Sequence, residues 1–122
     1  MQPSIVSPYY RLHRERHLAV IRARVDAQRA ASIAFIADHL RRHPCVDCGA
    51  SDLRILDFDH RPDTDKRDAV MKLVRDGFGI ATIAEEIAKC DVRCRNCHAI
   101  VTYRRLGGDW RTRAMDRLEN SS

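Results

Sequence analysis

The sequence predicts an α+β fold, mostly helical, with a small sheet pinned by a metal site. Three observations predict it. The stretch from about Tyr9 to Arg42 lacks Gly and Pro and carries apolar residues at helical spacing, residues 53–60 read LRILDFDH like a strand, and two Cys-x-x-Cys pairs stand far apart in the chain. With 122 residues, 44% of them hydrophobic, 32% charged and 6% aromatic, the composition is that of an ordinary soluble protein. So short a chain buries a small core, and something besides apolar burial is expected to help hold it together.

The N-terminal segment is expected to form one long helix or two shorter ones, with Leu18, Ile21, Val25, Ile33, Ile36 and Leu40 recurring at a helical period. Its other faces carry Arg11, Arg14, Arg16, Arg22, Arg24 and Arg29, which either track a phosphate backbone or form a solvated basic face. His13 and His17 are spaced i, i+4 and read as a surface pair.

The first cysteine pair is Cys45-x-x-Cys48 in PCVDCG, with Pro44 and Gly49 supplying its turn chemistry. The second, Cys94-x-x-Cys97 in RCRNCH, starts 46 positions after Cys48, so a whole substructure is inserted between them. Two such knuckles complete a tetrahedral structural zinc site. Disulfides are the rival explanation, and the C-x-x-C pairing in an intracellular setting favours zinc. Cys90 is left over and reads as a small buried apolar residue.

Between the knuckles, Leu53 to His60 is expected to be a strand buried on at least one face, followed by the polar loop opened by Pro62. Asp65 or Thr64 can then cap a helix from about Lys66 to Arg75, with Val70, Met71 and Val74 inside. Gly77 and Gly79 end it, and Ile80 to Lys89 forms another helix with Ile83, Ala84 and Ile87 inside. A short strand at Asp91 to Arg93 enters the second knuckle, His98 to Leu106 is helical, and the tail from Asp109 holds a short docked helix.

Net charge is +5, but it is unevenly spread: Lys plus Arg against Asp plus Glu is 8 to 3 over residues 1–44, 8 to 11 over 45–93 and 6 to 3 over 94–122. Basic ends around a carboxylate-rich centre suit a cation-dependent site on DNA or RNA. No run approaches a membrane span and the N-terminus lacks the apolar stretch of a signal peptide, so no membrane partner and a cytoplasmic location are expected.

PCVDCG, LDFDHRP and EEIAKCDVRCRNCHAIVTYRR, in that order over about residues 44–105, resemble the HNH endonuclease family in its four-cysteine, zinc-containing bacteriophage version. The resemblance implies a ββα-metal motif with a structural zinc site; the long N-terminal helix before it and the tail after it lie outside the motif, and the helices inserted between the knuckles are those read from their apolar spacing. With the elements read above, the expected division is a basic N-terminal helical extension (1–43), a zinc-stabilised nuclease core (44–106) and a basic tail (107–122). The resemblance further implies that Cys45, Cys48, Cys94 and Cys97 bind zinc and that His60 is the general base. Asp59 and His98 would then ligate a catalytic divalent metal, magnesium or manganese. Such enzymes leave 5'-phosphate and 3'-hydroxyl ends. The family's middle Asn stands about five residues before the second knuckle, where this chain has Lys89, and Asn96 is a candidate substitute. Asp57 is either an acid that holds an imidazole or a solvated strand residue.

Arg104, Arg105, Arg111 and Arg113 are candidate DNA backbone contacts. By analogy with small phage members, the implied partners are DNA and a terminase or portal, in the host cytoplasm if the chain is phage-encoded. The alternative is a zinc-stabilised DNA-binding protein without catalysis. In blander readings His98 replaces a cysteine at zinc, and His60 is a strand-end imidazole bonded to a neighbouring carboxylate.

Overall fold

The computed structural model describes residues 7–121. A single helix, α1, runs from Pro8 to Arg42. Ser7 caps it by accepting from the Tyr10 amide at 3.2 Å, and Pro8 occupies the first turn, where its missing N–H costs nothing. It stops at His43, whose backbone leaves the helical region ahead of Pro44. Of the apolar stripe, Ile36 and Leu40 are buried and Val25 is half-buried, whereas Leu18, Ile21 and Ile33 are exposed. At about 1.5 Å per residue the first 17 of its 35 residues, up to the one before Val25, project roughly 26 Å from the part that packs, and among the described residues no other element covers them.

The expected strand is shorter than its apolar run. Leu53–Ile55 form a 3-10 turn, because the Asp52 carboxylate accepts from the Arg54 amide at 3.0 Å and caps it, and Leu53 and Ile55 are exposed. Strand β1 is Leu56–His60 and pairs antiparallel with β2, Cys90–Cys94, in the register Leu56↔Cys94, Phe58↔Val92 and His60↔Cys90. The strand period assigns Leu56, Phe58, Val92 and Cys94 to the face toward the helical core, and Asp57, Asp59, Asp91 and Arg93 to the other.

Two short helices are inserted between the strands. The first, α2, spans Val70–Arg75 and begins later than Lys66, with no side-chain cap from Thr64 or Asp65. The later start shifts the inner face: Val70, Leu73 and Val74 are buried and Met71 is exposed. Gly77, at φ +84°, reverses the chain at a conformation a Cβ would disfavour, and α3 follows at Ile80–Ile87. The α2 terminus is tied to α1, since Gln28 donates to the Gly77 carbonyl at 2.8 Å and Arg29 to the Arg75 carbonyl at 2.6 Å.

After β2, α4 covers Arg95–Arg105 and α5 covers Trp110–Asn120. The tail helix is formed but scarcely docked: Trp110, Met115 and Leu118 are all exposed. Among the described residues no helix is long and apolar enough to cross a membrane. The fold is therefore α+β and mostly helical, with a two-stranded sheet packed on α1, α2 and α3.

Candidate functional site

Cys45, Cys48, Cys94 and Cys97 converge, their Sγ atoms all within 4.8 Å of one another. The first knuckle closes through Gly49 N–H to the Cys45 carbonyl at 2.9 Å, and Val46 N–H to the Val92 carbonyl at 2.9 Å ties it to β2. Cys94 caps α4, its sulfur accepting from the Cys97 amide, so the positive end of a helix dipole faces the cluster. Cys48 Sγ and Cys94 Sγ are 3.7 Å apart, close to the about 3.8 Å separating thiolates on a tetrahedral zinc and far beyond the about 2.05 Å of a disulfide.

The chemistry of the four sulfurs fits a cation as well. Cys94 and burial push the Cys97 thiol up to about 12. Burial also pushes Cys45 up, but the amides of Cys94, Cys48 and Asp47 outweigh it and bring that thiol down to about 6. Four crowded thiolates repel one another, and a divalent ion removes that repulsion. Cys90 is outside the cluster, half-buried, donating to the Glu86 carbonyl at 3.4 Å. Burial and the Glu86 charge push its thiol up to about 11, so it is inert.

A second constellation lies on the polar face of the sheet. Asp59 is 4% exposed, and His98 on α4 reaches it, with Nε2 at 3.5 Å from Oδ1. The other His98 nitrogen is 3.7 Å from Asp57 Oδ2, so Asp57 flanks the imidazole instead of lying free in solvent. Arg105, seven residues along the same helical face, donates to Asp59 Oδ1 at 2.8 Å, and Arg93 donates to Oδ2 at 2.6 Å. Arg93 also binds Asp47 at 2.8 Å and Asp91 at 3.4 Å, relieving the like-charge pair Asp59↔Asp91 across the sheet. Burial pushes the Asp59 carboxyl up, but the Arg105 and Arg93 guanidiniums outweigh it and hold it below the usual carboxylate range.

His60 belongs to the opposite face of β1 by the strand period, and its Nε2 is 2.8 Å from Glu86 Oε2. A groove lined by Asp57, Phe58, His60, Lys66, Met71 and His98 nevertheless brings both imidazoles to one opening. Glu86 is 1% exposed, lies between Ile83 and Ile87 on the inner side of α3, and also accepts from the Arg67 amide at 3.1 Å and from Lys89 Nζ at 2.9 Å. Lys89, at the position where an Asn is expected, donates in addition to the Asp65 carbonyl at 2.6 Å. The loop after His60 is thus strapped to the end of α3, with Arg61 adding bonds to the Ala88 and Cys90 carbonyls.

Burial pushes the Glu86 carboxyl up, yet Lys89, His60 and the Arg67 amide carry it down to about 2 from an ordinary 4.5. A lowered folded pKa means that its contribution to stability is fully present above pH 4.5 and is lost only as pH falls toward 2. In 13C NMR of the folded protein, the Glu86 carboxyl is expected to show no titration step near pH 4.5; a midpoint there contradicts the bonding described.

Asn96 is exposed on the first turn of α4, and Arg104 and Arg113 are exposed. Arg111 binds Asp109 at 3.0 Å and lies 4.7 Å over the Trp110 ring. Arg105 is committed to Asp59, a pairing across 46 residues that the sequence does not announce. The sequence does not announce Glu86 as a partner of His60, although an acid three residues after Ile83 on an apolar helix face is the available clue. No family model matches this chain, and no curated protein or solved structure matches it at a significant level.

Proposed function

We propose that this chain is a metal-dependent endonuclease of the HNH type, phage-encoded, hydrolysing DNA phosphodiesters to 5'-phosphate and 3'-hydroxyl ends. The observation that carries the reading is the meeting of Asp59 with His98 at 3.5 Å beside a groove shared with His60, next to a four-cysteine cluster. Two neighbouring ligands of a six-coordinate magnesium lie about 3 Å apart, so these donor atoms need only a small adjustment to share one.

Asp59 and His98 would hold magnesium or manganese, and such an ion supplies charge stabilisation to the phosphoryl group and the departing 3'-oxygen. His60 takes the proton from the attacking water. Asp57, beside Nδ1 of His98, orients that imidazole with Nε2 toward Asp59. Arg105 neutralises Asp59 and competes for the same oxygen; once that oxygen is given up, its guanidinium is available to a phosphate. Arg104 and Arg113, with Arg111 beside Trp110, contribute sequence-independent contacts along the backbone of DNA.

A second reading, a zinc-stabilised DNA-binding protein without catalysis, is favoured by one observation: both Asp59 oxygens are already satisfied by Arg93 and Arg105. Plasmid DNA separates the two. The purified protein is expected to convert supercoiled plasmid to nicked or linear form with magnesium or manganese and not with EDTA, and end-labelling should find 5'-phosphates. Retarded but uncut plasmid under every metal tried favours the binder. A terminase or portal as partner in the host cytoplasm belongs to the same proposal, and its addition to the cleavage assay tests it.

A further inference from the structure

We propose that Glu86 is the positioning residue for His60: it accepts from Nε2–H, fixing the imidazole in the Nε2–H tautomer and leaving Nδ1 as the basic nitrogen. The catalytic consequence rests on the endonuclease reading, but the tautomer does not.

The geometry comes first. Glu86 Oε2 is 2.8 Å from His60 Nε2, and a carboxylate offers only acceptors, so this ring nitrogen must carry the hydrogen. The neutral imidazole has one N–H, which leaves Nδ1 with its lone pair. The groove that His60 lines is also lined by His98 and Asp57, so on the endonuclease reading the imidazole borders the opening that a phosphate and its water would enter.

Energetics point the same way. A carboxylate at 1% exposure inside the apolar stripe of α3 is costly to desolvate, and a well-packed apolar side chain of similar volume would commonly serve stability as well or better. What an apolar residue could not do is hold three donors from three segments: His60 at the end of β1, the Arg67 amide in the following loop, and Lys89 after α3. Lys89 in turn grips the Asp65 carbonyl at 2.6 Å. The imidazole is therefore fixed in tautomer and in ring orientation by an anchor that also fixes the loop beside it. A base held in one orientation meets its proton without a further entropic cost.

The test uses full-length, zinc-loaded protein labelled with 15N-histidine. In its neutral form wild-type His60 is expected to show a pyrrole-type Nε2 and a pyridine-type Nδ1; the reverse assignment overturns the proposal without recourse to any variant. Glu86→Gln keeps the side-chain volume and should retain zinc while melting a few degrees lower. In it the His60 nitrogens should move toward a tautomer mixture, and kcat for plasmid cleavage should fall about 10- to 100-fold with KM changed less than about twofold. An unchanged tautomer and unchanged kcat in Glu86→Gln also overturn the proposal. If the wild-type protein cuts no DNA, the endonuclease reading fails, and the NMR result still decides the role of Glu86.

Discussion

With zinc held by the four cysteines, as the donor set allows, its removal is expected to unfold the sheet and α4, with an apparent loss of stability on the order of 10 kcal/mol at neutral pH. A two-stranded ribbon is marginal alone, and here the ribbon is joined to the first knuckle through the sulfurs, the Val46 to Val92 hydrogen bond and the Arg93 to Asp47 ion pair. Among the described residues the buried apolar set holds 11 side chains, Cys45 and Cys94 among them, so loss of a metal there leaves two crowded, ionisable thiols inside a core too small to absorb them. Cys94 carries the largest share, because it ends β2, caps α4 and faces Leu56 across the sheet. Cys94→Ser should therefore mimic chelation, whereas Cys90→Ser, outside the cluster, should keep the metal. Metal content together with thermal melting, with and without a strong chelator, checks this. A melting temperature indifferent to chelation removes the structural role of the metal. Restoration by added zinc and insensitivity to reductant separate a thiolate site from a disulfide.

The features readable from the sequence are those whose cause is local. Ser7 and Pro8 start α1 and Pro44 ends it, and each cysteine pair declares its own tight turn. The second knuckle's distance of 46 positions implied an inserted substructure, and α2 and α3 are that insertion. Where the reading erred, a local rule met a competing one. Leu53 and Ile55 look like strand residues, but the Asp52 carboxylate caps a turn there, and the strand waits until Leu56. Leu18 and Ile21 keep the helical period, yet periodicity names a face and not a partner, and among the described residues no other element packs on that part of α1. Long-range ion pairs were the least legible. Arg105 seemed free to meet a phosphate because nothing near it in sequence predicts Asp59, and Glu86 stayed hidden because its partner His60 is 26 residues away.

His60→Ala is expected to abolish plasmid cleavage, by about 10²- to 10⁴-fold in kcat, while leaving affinity for DNA within a few-fold. The substitution is a clean one for structural reasons. Glu86 loses one of its donors but keeps Lys89 at 2.9 Å and the Arg67 amide at 3.1 Å, so no buried carboxylate is stranded, and the four-cysteine cluster is untouched. Truncating Asp59 would be ambiguous by comparison, since it releases the Arg93 and Arg105 guanidiniums together and disturbs the sheet. The exposed Arg104 and Arg113 remain in the variant, and with them the salt-dependent part of the proposed DNA binding. Binding measured by gel retardation and cleavage measured on the same plasmid should therefore part company in His60→Ala. Cleavage equal to wild type would assign the base elsewhere. Loss of binding and cutting together, with melting unchanged, would mean that the imidazole contacts the nucleic acid instead of activating water, and the groove it shares with His98 would then be a recognition surface.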